Sequence, residues 1–401
     1  MIIQQITNQK KSGNKIYLIN MKIAILSPWT VKPTSIGGTE RFVIDLAESF
    51  INANNEVDVY MLSGDSYIKN KVNYISMNLF KDINEVDEYF LKSQFNQFND
   101  EQSFENLAKK IEDKILFDKY DLIQLNSQLF LKVAEEKARI FTIHTNPFEY
   151  KLDWGEISFE IMLKLMYKES TMEKTYFVTP SKYYANLYKE LSNTNIYFIP
   201  HAIDVSRITS DIDRNQILNK MNIEQNKKII LLPSRLEPIQ KQPMLFMKAF
   251  ASLDDNIKSN YKVICTGKDK QYEQFMDDIL NFCQKNNIDI LIDRFDKMCD
   301  GYKVADIVML PSKSESFGYS ALEALSLGIV TILNNIPTYK EIVDGAKNYY
   351  LFDNSIESLN EVLKEVLIKK IDRVNQTEDW KNRYSTKLFC TRYSNLINIQ
   401  K

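Results

Sequence analysis

The chain has 401 residues, of which 44% are hydrophobic and 26% charged, and its formal net charge is −2. This composition is ordinary for a globular protein, and so small a net charge produces no electrostatic field that would attract nucleic acid or an anionic bilayer. Single hydrophobic cores rarely grow past about 250–300 residues, so we expect two domains.

Cysteine and histidine usage argues against a structural zinc site. The four cysteines form no C-x-x-C pair and the chain has only two histidines, so we expect a reducing, cytoplasmic compartment. No apolar run approaches 18 residues, which predicts no transmembrane helix. Residues 1–20 lack the apolar core of a secretory signal and are interpreted as an extension before the first strand at Met21.

From Met21 onward, short apolar runs alternate with longer helical periods, as in parallel βα units. An acidic and aromatic segment at 81–118 is predicted to be helical, and a polar interval at 206–228 separates the two halves. The first half contains a predicted helix at 40–50 and predicted strands at 22–27, 56–62, 122–125, 138–144, 175–180 and 195–200.

The same alternation restarts in the second half. It predicts strands at 228–232, 261–266, 288–292, 304–310 and 329–333, and helices at 244–253, 355–369 and 380–399. We therefore predict an α/β protein with two doubly wound, Rossmann-like domains and a ligand-binding cleft at the carboxyl ends of their strands. The predicted boundaries are 21–204 for the first domain, 205–379 for the second and 380–401 for a terminal helix.

Two carboxylates, Glu315 and Glu323, are separated by seven residues and flank the start of an apolar helix. A buried run ending at Pro311 precedes them, so the order is strand, tight loop and helix N-terminus. Free backbone N–H groups and the helix dipole favour an anion there. The carboxylates could hold neutral hydroxyl groups on either side of a bound phosphate, although the spacing alone also fits surface charge on an amphipathic helix.

In each half, the loop after the first strand carries a further motif. Arg235 and Lys241 lie six residues apart after the strand at 228–232, where two cations could neutralise a diphosphate; solvated surface charge is the alternative. Gly37 and Gly38 lie between the first strand and the first helix, where glycine lets a backbone approach a phosphate. A Gly-Gly turn before a helix is also routine loop structure.

The two histidines and one acidic pair complete the candidates. His144 ends the buried-looking strand at 138–144 and is expected to face the space between the domains, as a site residue or as a hydrogen-bonded structural group. His201 lies near the domain junction and is interpreted as structural. Asp211 and Asp213 form a D-x-D sequence in the polar interval, not after a strand, so we interpret them as solvated charge.

Taken in order, these motifs resemble family 4 of the retaining glycosyltransferases, which have the GT-B fold. The resemblance spans Met21 to Lys401 and is more specific than any single motif. It is carried by the Gly-Gly-Thr-Glu loop at 37–40, the strand ending in His144, Thr179-Pro180-Ser181, residues 199–204, Arg235 with Lys241, residues 263–267, the Glu315–Glu323 block, residues 327–331 and residues 339–345.

This resemblance implies a role for each motif. Glu323 would bind the ribose hydroxyls of a nucleotide-sugar, Glu315 would bind the hydroxyls of the transferred sugar, and Arg235 with Lys241 would hold the diphosphate. His144 would lie beside the sugar, near an oxocarbenium-like transition state. No metal or other cofactor is expected, and the last helix would cross back to brace the first domain. The other implied donor-binding residues are Gly37, Gly38, Arg294, Phe295, Ser316, Phe317 and Gly318.

Three departures from the family pattern bear on substrate choice. His201-Ala202 stands where Asn-Gly is frequent between the domains. Residues 292–295 lack the glycine of a Phe-x-Gly turn beside the nucleobase, which leaves UDP, GDP and ADP open. Gln124-Leu125-Asn126 stands where a histidine is frequent, at a position that shapes acceptor contacts.

We therefore expect a retaining enzyme that moves a hexosyl group from a nucleotide-sugar, with UDP favoured, to a glycan, lipid-linked, protein or small-molecule acceptor on the first domain. One alternative is a nucleotide-sugar 2-epimerase, which would need more acid–base groups than two histidines supply. Another is a non-catalytic GT-B partner subunit, which would have no need of Arg235, Lys241, Glu315 and Glu323. No nucleic-acid partner is expected, and peripheral contact with the inner face of a membrane stays open.

Overall fold

The computed structural model describes residues 20–32, 37–79, 100–147, 155–171, 174–267, 272–293, 295–369 and 372–398. Most of the predicted N-terminal extension, part of the segment 81–118 and the candidate Arg294 lie outside these residues.

The first sheet is built from strands in the order β3-β4-β2-β1-β5-β6-β7-β8, all parallel except the edge strand β3, which runs antiparallel to β4. Its strands are β1 Lys22–Ser27, β2 Glu56–Met61, β3 Tyr67–Lys69, β4 Val72–Ser76, β5 Leu122–Leu125, β6 Arg139–Thr142, β7 Thr175–Thr179 and β8 Ile196–Phe198.

The second sheet is parallel throughout, in the order β11-β10-β9-β12-β13-β14. Its strands are β9 Lys228–Arg235, β10 Tyr261–Gly267, β11 Ile290–Ile292, β12 Ile307–Leu310, β13 Val330–Asn334 and β14 Tyr349–Phe352.

Helices cover both faces of each sheet. They are α1 Gly38–Asn52, α2 Glu101–Glu112, α3 Glu156–Ser170, α4 Lys182–Ser192, α5 Arg214–Lys220, α6 Pro243–Ala251, α7 Asp255–Lys258, α8 Glu273–Lys285, α9 Met298–Val304, α10 Tyr319–Ser326, α11 Pro337–Val343, α12 Ile356–Leu367, α13 Glu378–Arg383 and α14 Thr386–Asn398. No helix in the described ranges is long and apolar enough to cross a membrane.

The continuous apolar runs of the central strands follow from this layering. Successive side chains of a strand point to opposite faces, so Ile23 and Ile25 enter one hydrophobic cluster while Ala24 and Leu26 enter the other. Because helices cover both faces, every position must be apolar, and the strands do not alternate with polar residues. The second sheet is sandwiched between two clusters in the same way.

The strand orders place a ligand-binding edge in each sheet. In the first sheet β1 lies between β2 and β5, and in the second β9 lies between β10 and β12. Chain connections leave in opposite directions at such points, which opens a crevice beyond the carboxyl ends of the strands. The loops after β9 and β12 therefore flank the crevice of the second sheet.

The end of the chain joins the two domains. Trp380, in α13, is buried in the second domain and donates from Nε1 to the Ile342 carbonyl at 2.8 Å. Phe389, in α14, packs edge-on against Phe42 of α1 in the first domain, with ring centroids 6.0 Å apart. The paired doubly wound sheets and the returning helix confirm the predicted fold class.

Three element predictions were wrong in detail. The helix expected at 380–399 is two helices, because the Tyr384 carbonyl leaves the helical ladder and accepts from the Ile203 N–H at 2.9 Å. Val304 ends a helix, and the strand starts only at Ile307. The polar interval at 206–228 contains α5, which buries Ile217 and Leu218 on its inner face and so folds with the second domain.

Candidate functional site

The loop after β9 is ordered by one carboxylate, that of Glu237. It accepts from the backbone N–H groups of Ile239 at 2.9 Å and Lys241 at 3.1 Å, and also from that of Gln240. Three successive N–H groups that donate to one side chain hold the loop in a tight turn. This turn fixes the backbone position from which the Lys241 side chain extends.

Backbone hydrogen bonds tie this loop to the loop after β12. The Lys313 N–H donates to the Gln240 carbonyl at 2.7 Å, and the Gln240 side chain donates to the Ser314 carbonyl at 3.3 Å. Because β9 and β12 are neighbours in the sheet, both loops leave from the same edge. The contact brings Lys241 beside Glu315.

Glu315 is held by three donors at a single oxygen. Its Oε1 accepts from Lys241 Nζ at 2.7 Å, Ser312 Oγ at 2.9 Å and Tyr339 OH at 3.3 Å. Burial raises the pKa of Tyr339 well above its ordinary value, so that hydroxyl stays protonated and can donate. The Lys241–Glu315 pair retains some solvent contact, with 13% and 18% of the side chains exposed.

The start of α10 follows directly after Glu315. Gly318 is the N-cap residue at φ +103°, and a Cβ there would lie 2.7 Å from the Tyr339 ring, so both the backbone conformation and the space require glycine. No side chain caps this N-terminus. Uncapped N–H groups and the helix dipole make this end of α10 a favourable place for an anion.

Glu323, one turn into α10, is only 5% exposed. Its Oε2 accepts from Tyr302 OH at 2.5 Å, and its Oε1 pairs with the Arg41 guanidinium at 2.5 Å. Arg41 belongs to α1, so this ion pair joins the two domains. Burial and the adjacent carboxylate raise the pKa of Tyr302 well above its usual range, which keeps its hydroxyl a donor.

The Gly37–Gly38 loop faces α10 across the cleft. Gly37 is the N-cap of α1, again without a capping side chain, and a Cβ on Gly38 would lie 3.8 Å from the Tyr319 ring. The N-termini of α1 and α10 therefore meet, one from each domain, and the Glu40 carboxylate lies against Gly37 at the start of α1. Both helix dipoles direct their positive ends at the same space, and the Glu40 carboxylate offsets part of that potential on the α1 side.

Both histidines lie at the domain junction in an aromatic cluster. The His144 ring packs edge-on to Phe42 at 4.6 Å, and the His201 ring stacks on Tyr319 at 5.1 Å; the two imidazoles are 5.6 Å apart. Burial lowers the pKa of His144 to about 3 and that of His201 well below its ordinary value. Both rings are therefore neutral near pH 7, and His144 Nε2 lies 3.3 Å from Asn126 Oδ1.

The remaining predicted residues lie around these loops. Arg235 is exposed at the carboxyl end of β9, where Gly267 of β10 comes so close that a Cβ would lie 2.3 Å from its Cα. Phe317 is buried with its ring 4.8 Å from His201, and Ser316 is partly buried in the turn before α10. Phe295 packs against Gly301 of α9.

The structure thus brings Lys241 and Glu315 into contact and places Glu323 with a partner from the other domain. Sequence reasoning missed the residues that position these groups: Glu237, Ser312, Tyr339, Tyr302 and Arg41. Arg41 directly follows the recognised loop at 37–40, and Glu237 lies between Arg235 and Lys241. Tyr339 begins the recognised motif at 339–345 but was given no role there, and Tyr302 had no local signal because it reaches the site only through tertiary packing.

Among the residues that the structure describes, no group of three or more His, Cys, Asp or Glu side chains is arranged to hold a metal ion. The charged groups of the site are instead an ammonium, two carboxylates and two guanidiniums, from Lys241, Glu315, Glu323, Arg41 and Arg235.

Two family matches divide the chain between them. Residues 36–207 match the family described as Glycosyltransferase Family 4, and residues 213–383 match Glycosyl transferases group 1. Together they span most of the chain and include each recognised motif except the strand before residue 36.

Curated relatives are distant. The chain is 29% identical to a D-inositol 3-phosphate glycosyltransferase of Corynebacterium jeikeium over 168 residues, which cover 39% of this chain and 40% of the relative. A second protein of that name, from Geodermatophilus obscurus, is 26% identical over 32% of this chain and 30% of its own length. The match thus spans less than half of either relative. An uncharacterized glycosyltransferase of Methanocaldococcus jannaschii is 23% identical over 80% of this chain and 83% of its own length.

Solved structures agree over the whole architecture. Sucrose-phosphate synthase from Thermosynechococcus elongatus superposes with a TM-score of 0.71 at 16% identity, covering 94% of this chain and 98% of that one. HepE from Anabaena, solved with UDP and glucose, superposes with a TM-score of 0.69 at 16% identity, covering 94% and 99%. At these identities the likeness establishes the fold alone.

Proposed function

Because the chain belongs to the family 4 and group 1 glycosyltransferases, we propose that it transfers a hexosyl group from a nucleotide-sugar, UDP-linked by preference, to an acceptor hydroxyl with retention of anomeric configuration. The observation that carries the proposal is the Lys241–Glu315 contact of 2.7 Å beside the uncapped start of α10. A cation, an anion-favouring helix terminus and a hydroxyl-binding carboxylate are the groups that a sugar diphosphate requires.

The donor would lie with its diphosphate between the N-termini of α1 and α10. Arg235 and Lys241 neutralise the charge that develops on the leaving diphosphate, where electrostatic stabilisation lowers the barrier most. Glu315 accepts from hydroxyls of the transferred sugar, and Glu323 from those of the ribose. In HepE, UDP and UDP-glucose are bound, which supports a uridine nucleotide for this chain as well.

The acceptor would bind at the carboxyl edge of the first sheet. Closure of the domains aligns the acceptor hydroxyl with the anomeric carbon and excludes water. His144 would lie beside this space, and because burial lowers its pKa to about 3 the ring would contribute a dipole and hydrogen bonds and not a positive charge. A phosphate oxygen of the leaving group takes the proton of the acceptor hydroxyl as the new bond forms on the face that the nucleotide leaves.

The test begins with a thermal-shift screen against UDP-, GDP- and ADP-sugars, because a ligand raises apparent stability by mass action. With the donor identified, Arg235→Ala should lower kcat by about 10²–10³-fold, as for loss of one charge-stabilising group. Arg214→Ala is the matched control, since Arg214 forms an ion pair with Asp306 in the same domain, away from the site. Wild-type turnover in Arg235→Ala would contradict the diphosphate role.

Two further readouts separate the rival functions. NMR of the product reports the anomeric configuration, and an inverted linkage would exclude the retaining assignment. Incubation with UDP-N-acetylglucosamine in the absence of an acceptor distinguishes a 2-epimerase, which would accumulate the epimer. A partner subunit without catalysis would release no nucleotide from any donor of the screen.

A further inference from the structure

Arg41 links the two domains at the residue expected to bind ribose. It lies in the first turn of α1 and reaches across the cleft to Glu323, with 2.5 Å between Nη1 and Oε1. The arginine side chain is 22% exposed, whereas the carboxylate side chain is only 6% exposed. One partner therefore lies at the edge of the cleft and the other inside it.

Both oxygens of Glu323 are already engaged. Oε1 pairs with Arg41, and Oε2 accepts from Tyr302, whose side chain is 1% exposed and comes from the same domain as Glu323. A pair of ribose hydroxyls cannot approach so enclosed a carboxylate unless one partner leaves. Arg41 is the partner with room to move.

A second carboxylate is positioned to receive the guanidinium. Asp45 follows Arg41 by one turn on α1, with its Oδ2 3.9 Å from Arg41 Nε. That oxygen is buried and has no hydrogen-bond partner among the described residues, while Oδ1 is held by Arg207. The Tyr319 ring lies 5.9 Å from the guanidinium and offers a cation–π surface alongside.

We propose that Arg41 is an internal ligand of Glu323 that the ribose of a bound donor displaces onto Asp45. The inference rests on the proposed function, in which Glu323 takes the ribose hydroxyls. Each binding event then includes the breaking of a desolvated ion pair, so Arg41 weakens donor affinity. The exchange also couples the ribose site to the interface between the domains, since the pair broken is one of the contacts that join them.

The test measures the Kd of UDP by titration calorimetry, with GDP and ADP alongside. Arg41→Met, which keeps the apolar stem and removes the charge, should bind UDP about tenfold more tightly than wild type, while Arg41→Lys should restore nearly wild-type affinity. Asp45→Asn should bind more weakly, because the displaced guanidinium loses its second partner. Arg214→Met, in an ion pair within one domain, should leave the Kd unchanged.

A nucleotide without ribose hydroxyls separates this exchange from a general change in the cleft. For 2′,3′-dideoxy-UDP, Arg41→Met should bring no gain, because nothing competes for Glu323. An unchanged or higher Kd of Arg41→Met for UDP, or an equal gain for the dideoxy nucleotide, would overturn the proposal. If neither protein bound any of the three nucleotides, the proposed function itself would fail, and the displacement with it.

Discussion

At the scale of single residues, burial decides the chemistry of the cleft more than residue type does. His144 carries a titratable ring, yet its enclosure against Phe42 removes the solvation that an imidazolium needs. Asp45 has the opposite response, since burial raises its pKa to about 6 despite the neighbouring Arg207 and Arg41. Near pH 7 the site therefore offers neutral imidazoles beside a fixed set of ion pairs.

The pH dependence of stability should report His144, a half-buried ring enclosed by aromatic side chains. Its folded pKa of about 3 lies below its unfolded value of ~6.5, so between these values the unfolded chain binds a proton that the folded chain does not. The free energy of unfolding must then fall as the pH drops through this window, with His144 contributing up to ~1.4 kcal/mol per pH unit.

In His144→Gln, which keeps a neutral hydrogen-bonding group, urea unfolding should therefore lose less stability than wild type between pH 6.5 and 5. The difference should be on the order of 2 kcal/mol over that interval. Parallel pH profiles for the two proteins would contradict the burial of a neutral ring at this position.

At the scale of elements, α11 contacts both the donor loop and the first domain. Tyr339 of this helix donates to Glu315, and two residues later the Glu341 carboxylate accepts from the backbone N–H groups of Lys182 at 2.9 Å and Tyr183 at 2.6 Å. Those N–H groups belong to the first turn of α4, where Ser181 caps the Tyr184 N–H, so a side chain of the second domain completes the cap of a helix of the first. The negative charge of Glu341 lies at the positive end of the α4 dipole, which is a favourable arrangement.

Glu341→Ala should lower the free energy of unfolding by ~1–2 kcal/mol, as for the loss of a helix cap. Guanidinium titration followed by circular dichroism measures this loss. Glu357→Ala is the control, because Glu357 is an exposed acid in the first turn of α12, within the second domain. Equal stability of Glu341→Ala and wild type would mean that α4 gains nothing from the contact between the domains.

At the scale of the whole molecule, the last described helix packs against the first domain. After the second sheet, α13 packs in the second domain through Trp380, and α14 packs on α1 of the first through Phe389 and Tyr393. The Tyr393 hydroxyl also lies 3.1 Å from Thr142 Oγ1 at the end of β6. The returning helix thus adds to the covalent link after β8, the Arg41–Glu323 pair and the Glu341 contact with α4, so we expect the two domains to unfold as coupled units.

Phe389→Ala should cost ~3–4 kcal/mol of stability through the cavity left against Phe42 and α1, whereas Phe389→Leu should cost less than about 1.5 kcal/mol because most of the volume is kept. Urea unfolding of both variants gives the comparison. Equal losses in the two variants would indicate that α14 does not pack tightly on the first domain.

The local sequence pattern was sufficient to predict the architecture. Buried parallel strands must be apolar on both faces, and runs such as 228–232 and 330–333 meet this requirement. The strands and their order along the chain could therefore be predicted. Helix ends were harder, because a contact elsewhere in the chain can end a helix, as the Ile203 N–H does at Tyr384. The roles of Arg235, Lys241, Glu315 and Glu323 in donor binding stay predictions.

The sequence by itself determined the two α/β domains, the family and the loops where the charged residues gather, since these depend on periodicity and on short motifs. Only the tertiary structure decided which groups meet: Glu315 with Lys241 and Tyr339, and Glu323 with Tyr302 and Arg41. The physical reason is distance along the chain. Arg41 and Glu323 belong to different domains. No local sequence pattern predicts that folding brings an ammonium or guanidinium within reach of a buried carboxylate.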